Sequence, residues 1–184
     1  MGVDYLHANT EYLPPSFPRP EIFRRVFLGL YYEPFRTRLI ELRWTLLRRG
    51  YSFWSLAGYR SWAAQHQLRL AYLQRRGGKA APAGYSAHQY GLADDACLDT
   101  DVDREGLQPD YSAAPYAIMA EEAKRIGLAP GLAFGDGPHV GWPGYESAAQ
   151  LEPLRLHWRS AGNATDEQKL AACWQLVDAS QGRL

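Results

Sequence analysis

Two short segments of the chain carry side chains whose types and spacing suit a catalytic metal ion. The first runs from Ser86 to Asp95, reads SAHQYGLADD and includes His88; the second reads DGPH and runs from Asp136 to His139. Two imidazoles and one carboxylate can hold zinc and leave a position open for water, and a further carboxylate beside them can act as a general base. The pattern therefore predicts a hydrolytic zinc site.

Residues 91–98 are predicted to form a strand, and the alternation of a strand decides which carboxylate faces the site. Alternate residues share a face, so Gly91, Ala93 and Asp95 lie together and leave an open pocket beside one acid. Asp94 competes as a ligand, but it lies on the face where large apolar neighbours should pack. Taken alone, Asp95 also fits the simpler alternative of a solvated acid.

The DGPH segment is a tight turn by composition, with Gly and Pro between its two polar residues. Such a turn, entering a strand, can bring Asp136 close to whatever His139 binds, so that Asp136 can take a proton from water and pass it to a departing amine. A turn in which Asp136 caps its own backbone is the alternative, but it gives no reason for His139. His88, just before the strand, also fits an ordinary loop histidine.

The order of these motifs resembles that of a known family. Ser-x-His-x-x-Gly-x-Ala-x-Asp followed by Asp-x-Pro-His resembles the zinc peptidases of the M15 family, the group of D,D-carboxypeptidases and phage L-alanyl-D-glutamate endopeptidases. Upstream, the run AGYRS from Ala57 to Ser61, with Gln65 and Leu68 in the helix behind it, resembles their Gly-Tyr-Arg-Ser element. The matching positions span residues 35–142.

The resemblance implies a role for each of these residues. His88, Asp95 and His139 would bind one zinc ion. Asp136 would be the catalytic base, and Arg60 would bind a substrate carboxylate or polarise the scissile carbonyl. A guanidinium offers paired donors suited to either task, and an ordinary surface ion pair is the alternative. The other expected substrate-binding residues are Ser86, Gln65 and Trp142.

Two positions depart from the family pattern. Many of these peptidases carry Glu or Gln two residues past the final histidine, where this chain has Gly141. The Gly-Gly-x-Trp element that usually precedes the final motif reads GLAF at residues 131–134. The first departure leaves the base role to Asp136 alone, and the second bears on substrate preference more than on metal binding.

The resemblance implies an α+β fold of the hedgehog and D,D-peptidase type, in which helices flank a small, mainly antiparallel sheet that bears the zinc site. The 184 residues are predicted to form a single peptidase domain. Its predicted parts are an N-terminal arm and first helical segment at residues 1–33, a catalytic core at 34–144 and a C-terminal helical extension at 145–184.

Periodicity and capping signals predict the individual elements. Thr165 followed by Gln168 resembles a capping box. Helices are predicted at residues 34–49, 61–76 and 114–126, with two more after Tyr145. Strands are predicted at residues 53–59, 91–98, 132–134 and 139–142.

The formal net charge is zero, but the charge is unevenly placed along the chain. Residues 1–79 hold 13 Lys and Arg against 5 Asp and Glu, and residues 80–184 hold 7 against 15. A basic front half could bind an anionic envelope polymer, in which case replacing Arg24, Arg25, Arg48 and Arg49 should weaken wall binding. The alternative is two faces of one fold that neutralise each other, which the scattered placement of the arginines favours.

Cysteine content and the lack of targeting signals bear on where the protein acts. Cys97 and Cys173 are the only cysteines, too few for a disulfide framework. The N-terminus lacks a basic start followed by an apolar run, and no stretch reaches the ~18 apolar residues of a membrane span. The chain is therefore expected to be made in the cytoplasm without a signal peptide or transmembrane segment and to act later on the cell wall. A phage-encoded enzyme would be released by a holin-type pore.

Two further patterns resemble other metal sites only in part. The acidic loop from Asp99 to Asp110 partly resembles a calcium loop, but Arg104 stands where glycine is required and the closing residue is Asp rather than Glu. A non-haem iron oxygenase would also use two histidines and one carboxylate, but its usual His-x-Asp spacing is absent. A solvated acidic loop and a single zinc ion are therefore expected.

The predicted function is zinc-dependent peptidoglycan hydrolysis by a phage-type endolysin that cleaves the L-Ala–D-Glu bond of the stem peptide. A D-alanyl-D-alanine carboxypeptidase is the alternative. A metal- or wall-binding module without catalysis, on the same fold, is the alternative of another class. The expected partners are peptidoglycan stem peptides and no nucleic acid, and the expected state is a monomer.

Overall fold

The computed structural model describes residues 29–100 and 107–183, which form an α+β fold. Helices and short strands alternate irregularly along these ranges. The helices are α1 (Glu33–Arg48), α2 (Trp62–Leu73), α3 (Ala113–Arg125), α4 (Ala148–Ser160) and α5 (Asp166–Ser180). The strands are β1 (Ser52–Ala57), β2 (Ala93–Asp99), β3 (Pro109–Asp110), β4 (Ala129–Pro130) and β5 (His139–Gly141).

The five strands form one small sheet around β2. The order is β1-β2-β5-β4, and β3 pairs with the far end of β2. Every pair is antiparallel, so the predicted small, mainly antiparallel sheet with flanking helices is confirmed. The register sets Asp95 of β2 opposite Ala57 of β1 on one side and opposite His139 of β5 on the other. Three separate parts of the chain therefore meet at one point on β2.

The helices begin and end largely where local chemistry predicts. Pro34 occupies the first turn of α1, where its missing N–H costs nothing. The Ser61 hydroxyl accepts a hydrogen bond from the Ala64 N–H and caps α2. The predicted capping box of Thr165 and Gln168 is confirmed at the start of α5. Two helices follow residue 145, as predicted.

Trp142 belongs to the hydrophobic core, and the prediction that it lines the substrate groove is wrong. Its side chain is 2% exposed and meets the rings of Tyr32 and Phe35 edge to face, with centroids 5.4 and 6.4 Å away. The reason is strand alternation. Trp142 follows Val140 by two residues and shares its buried face, whereas His139 faces the other side.

Residues 131–134 form a single 3₁₀ turn, Gly131–Phe134, rather than the predicted strand. The preceding residues Ala129–Pro130 form β4 instead, paired with β5. Backbone bonds close the segment on itself, since the Gly135 N–H donates to the Leu132 carbonyl and the Asp136 N–H donates to the Gly131 carbonyl. The carbonyls of Gly131 and Leu132 are therefore used within the turn rather than in a strand pair.

Several sequence features fall partly outside the described residues. Residues 1–28 of the predicted N-terminal arm and first helical segment, and residues 101–106 of the acidic loop, lie outside them. At the described ends of that loop, the carboxylate of Asp99 accepts a hydrogen bond from the Gln108 N–H, and that of Asp110 accepts from Ser112. Within the described ranges, the helices are all too short or too polar to cross a membrane.

Oppositely charged side chains from the two halves of the chain meet in the fold. Arg49 pairs with Glu122 of α3 at 2.6 Å, and Arg43 pairs with Asp94 of β2 at 2.5 Å. These contacts favour the interpretation of halves that partly neutralise each other. Arg48 remains exposed.

Candidate metal centre

The pairing of β2 with β5 places Asp95 and His139 side by side. Residues directly opposite each other on antiparallel strands point to the same face, with Cβ atoms about 4.5–5.5 Å apart. Here Nδ1 of His139 lies 3.0 Å from Oδ1 of Asp95. Two of the three predicted ligands therefore come together through sheet register alone.

His88 reaches the same carboxylate from the turn that precedes β2. It lies in the 3₁₀ turn Ala87–Tyr90, and its Nε2 is 3.3 Å from Oδ1 of Asp95. Its Nδ1 lies 2.9 Å from the carbonyl oxygen of Gly58. A carbonyl only accepts, so Nδ1 donates this bond, and Nε2 is the nitrogen of His88 that can bind a metal ion.

These three side chains can together bind one metal ion. Each offers a ligand atom, and the three atoms lie within 4.8 Å of one another. Burial acts to raise the pKa of Asp95, but hydrogen bonds from His139 and His88 outweigh it and hold that pKa well below its usual range. The carboxylate is therefore ionised, as a metal ligand must be. A donor set of two nitrogens and one oxygen suits zinc and other transition metals.

Asp136 lies in the turn that leads into β5 and faces the same space. Its backbone carbonyl accepts a hydrogen bond from the His139 N–H at 3.2 Å, which ties the acid to the ligand three residues later. The residue is only partly exposed. Loss of hydration raises the pKa of Asp136, the negative charge of Asp95 raises it further, and His139 and His88 act in the opposite direction. A carboxyl group near a metal centre with a raised pKa suits proton transfer.

Gly131 is packed against the backbone of this turn. A Cβ at Gly131 would lie 2.5 Å from the backbone oxygen of Asp136 and 2.5 Å from the Cβ of His139. Neither atom can rotate away, because one belongs to the main chain and the other is fixed to it. Glycine at this position therefore allows Asp136 and His139 to lie where they do.

We expect Gly131→Ala to shift the turn, lower the free energy of unfolding by about 1–3 kcal/mol and weaken zinc binding. Gly137→Ala is the matched control, since the atoms nearest to a Cβ there belong to the Tyr116 side chain and begin at an ordinary 3.5 Å. Urea unfolding and a zinc titration of both variants check this. Equal, small effects in the two variants would contradict the proposed role of Gly131.

Arg60 stands beside the centre, held by Gln65. The strand β1 ends opposite Asp95, and the Arg60 N–H then donates to the His88 carbonyl, which brings the residue to the centre. One guanidinium nitrogen donates to Oε1 of Gln65 at 2.9 Å, and the other lies 3.8 Å from Oδ2 of Asp95. The Gln65 amide also donates to the Ala81 carbonyl and is 1% exposed. Gln65 therefore holds Arg60 in place, and its predicted role in substrate binding stays a prediction.

The centre opens into a cavity of about 360 Å³. Of the predicted site residues, only Trp142 does not line it. Sequence reasoning missed several other lining residues, because none belongs to a metal-ligand pattern. They include Lys79 and Tyr85 before the first motif, Phe134 beside the second, and Tyr145 and Glu146 at the start of the C-terminal extension. Phe134 offered the clearest signal, as an aromatic residue two positions before Asp136; it is 58% exposed, with its ring 5.6 Å from that of His139.

The C-terminal extension supports the site from behind. The indole N–H of Trp174 in α5 donates to the Tyr90 carbonyl at 2.7 Å, which anchors the turn that carries His88. The hydroxyl of Tyr59, next to Arg60, donates to Asp166 at the start of α5. The extension therefore contacts the turn that holds His88 and the segment that holds Arg60.

Comparison with protein-family models and with curated proteins finds no match to this chain.

Proposed function

We propose that this chain is a zinc-dependent peptidoglycan peptidase, a phage-type endolysin that cleaves the L-Ala–D-Glu bond of the stem peptide. The observation that carries the proposal is the position of Asp136. It is a partly exposed carboxylate on the same cavity as the group of His88, Asp95 and His139. A site that only binds metal has no need of such an acid, whereas peptide hydrolysis needs one. The hedgehog and D,D-peptidase relationship of the fold is part of this proposal.

Each side chain has a task in amide hydrolysis. A zinc ion bound by the three ligands would supply the Lewis acidity that peptidases of this kind use to activate water and the scissile carbonyl. The Asp136 carboxylate accepts the proton that the attacking water loses and donates it to the nitrogen of the departing amine. The bond from carbonyl carbon to nitrogen breaks as the bond from carbon to water oxygen forms. Arg60 donates to the carbonyl oxygen or to a nearby substrate carboxylate.

The charges of the cavity support a substrate that carries free carboxylates. Arg60 and Lys79 line it beside the carboxylates of Asp95, Asp136 and Glu146, and these two cations are the points at which a substrate carboxylate can bind. The stem peptides of peptidoglycan carry such carboxylates beside both candidate bonds. The preference for the L-Ala–D-Glu bond comes from the motif resemblance.

Mass spectrometry of a muropeptide digest tests the proposal. New N-terminal D-Glu ends are the expected product, and they should be absent from a digest with Asp136→Asn. Loss of terminal D-Ala would instead indicate a carboxypeptidase. No product from a zinc-loaded protein would indicate a binding module and overturn the proposed activity.

We expect Arg60→Ala to lower kcat/KM by about 10²- to 10³-fold, the effect of removing one donor to a developing oxyanion. Arg60→Lys should recover little of this, because an ammonium group lacks the planar pair of donors. Zinc content should stay unchanged in both variants. Kinetics on a synthetic stem peptide checks this. An Arg60→Lys variant with wild-type kcat/KM would show that charge alone is sufficient.

The route to the substrate is part of the same proposal. We propose synthesis in the cytoplasm, release by a holin-type pore where the gene belongs to a phage, and action on the cell wall. Expression in bacteria with and without a coexpressed pore, followed by culture turbidity, tests this. Lysis that needs the pore is the expected result, and lysis without it would contradict the route.

A further inference from the structure

Asp94, the neighbour of the ligand Asp95, is an ionisable residue in the centre of the core. It is 0% exposed and lies on the opposite face of β2 from Asp95, as strand alternation requires. Three donors surround its carboxylate: the hydroxyl of Tyr31 at 2.6 Å, a guanidinium nitrogen of Arg43 at 2.5 Å and the hydroxyl of Ser55 at 2.9 Å. The donors come from the segment before α1, from α1 and from β1.

A buried ion pair of this kind needs a reason other than stability. Replacing such a pair by apolar residues of similar volume is often neutral or stabilising, because desolvation of the two charges offsets their attraction. Burial raises the pKa of Asp94, while Arg43, Tyr31 and Ser55 each act to lower it. The pair fixes geometry instead. Its charge-assisted hydrogen bonds hold Asp94, and hence β2, in a set position relative to α1.

The network continues directly to the first histidine ligand. The Tyr31 ring lies against Gly58, where a Cβ would come within 2.0 Å of the Tyr31 hydroxyl oxygen and 2.4 Å of the ring. The carbonyl of Gly58 is the group that accepts from Nδ1 of His88. Asp94 therefore holds Tyr31, Tyr31 limits where the Gly58 backbone can lie, and Gly58 orients the His88 imidazole.

The same residue also acts along the strand. Asp94 precedes Asp95 and stands opposite Val140, which follows His139. Holding Asp94 in place thus restrains Asp95 and His139 through the strand pair, and His88 through Tyr31 and Gly58. Groups that orient metal ligands in this way commonly change metal affinity by about 10- to 100-fold when they are removed.

We propose that Arg43, Asp94 and Tyr31 are positioning residues that preorganise the metal centre from the opposite face of the sheet. The inference rests on the metal centre of the proposed function but not on hydrolysis. It predicts that removing a hydrogen bond of this network weakens zinc binding, whereas removing a similar buried hydrogen bond elsewhere lowers only the stability of the fold.

The experiment compares two neighbouring tyrosines. Tyr31→Phe removes the hydroxyl that bonds Asp94, and Tyr32→Phe, the matched control, removes the hydroxyl that bonds Asp178. Both tyrosines are 2% exposed, so the two changes are chemically alike. We expect the zinc dissociation constant, measured by competition with a chromophoric chelator, to rise about 10- to 100-fold in Tyr31→Phe only. Without metal, the midpoint temperature of thermal unfolding should fall by a similar amount in both variants.

A second variant keeps the core filled while removing the charges. Arg43→Met with Asp94→Val should remain folded and show the same loss of zinc affinity, with a changed absorption spectrum when cobalt replaces zinc. Wild-type zinc affinity in either Tyr31→Phe or the double variant would overturn the inference, as would equal losses in the two tyrosine variants. Zinc binding without peptide cleavage would overturn only the proposed function.

Discussion

Asp136→Asn is expected to lower kcat by about 10²- to 10⁴-fold while the protein keeps its zinc. Asparagine has the same shape as aspartate but cannot accept the proton from water, so the change removes the proposed base and leaves the proposed ligands His88, Asp95 and His139 intact. Kinetics on a stem peptide, together with elemental analysis of the same sample, checks both parts of the prediction.

Asp110→Asn serves as the control for this variant, because that carboxylate is bonded to Ser112 and does not line the cavity. It should leave kcat and zinc content unchanged. Wild-type kcat in Asp136→Asn would contradict the assignment of the base. Loss of zinc in Asp136→Asn would show that the carboxylate contributes to metal binding instead.

His88→Ala is expected to reduce zinc from about one ion per chain to almost none and to abolish peptide cleavage, because a three-ligand catalytic site loses one of its ligands. Elemental analysis after dialysis measures the zinc, and circular dichroism confirms the fold. His66→Ala, which removes an exposed histidine of α2, is the matched control and should retain zinc. Full zinc content in His88→Ala would place the metal elsewhere.

The candidate metal centre was predictable in part, because strand alternation is a local rule whereas the meeting of its ligands depends on strand pairing. Strand alternation selected Asp95 over Asp94, and the antiparallel pairing of β2 with β5 brings His139 opposite Asp95. The same alternation, applied to the strand after His139, would also have placed Trp142 in the core with Val140. The prediction for Trp142 was wrong because it rested on closeness to His139 along the chain and did not apply strand alternation.

Other features depend on contacts between distant parts of the chain. The face of β2 that carries Asp94 was expected to be apolar, but Arg43 of α1, 51 positions away, supplies a charge there. The role of Gln65 as a support for Arg60 depends on the distance between two side chains, which no spacing in the sequence reveals. The turn at residues 131–134 resembles a strand in composition and differs from one only in how its backbone groups pair.

The anchoring of Tyr90 by Trp174 has a practical consequence for protein engineering. A chimera that ended this module at residue 144 would discard the helix that braces the His88 turn. A junction placed after residue 183 keeps that brace and is the better starting point for such fusions.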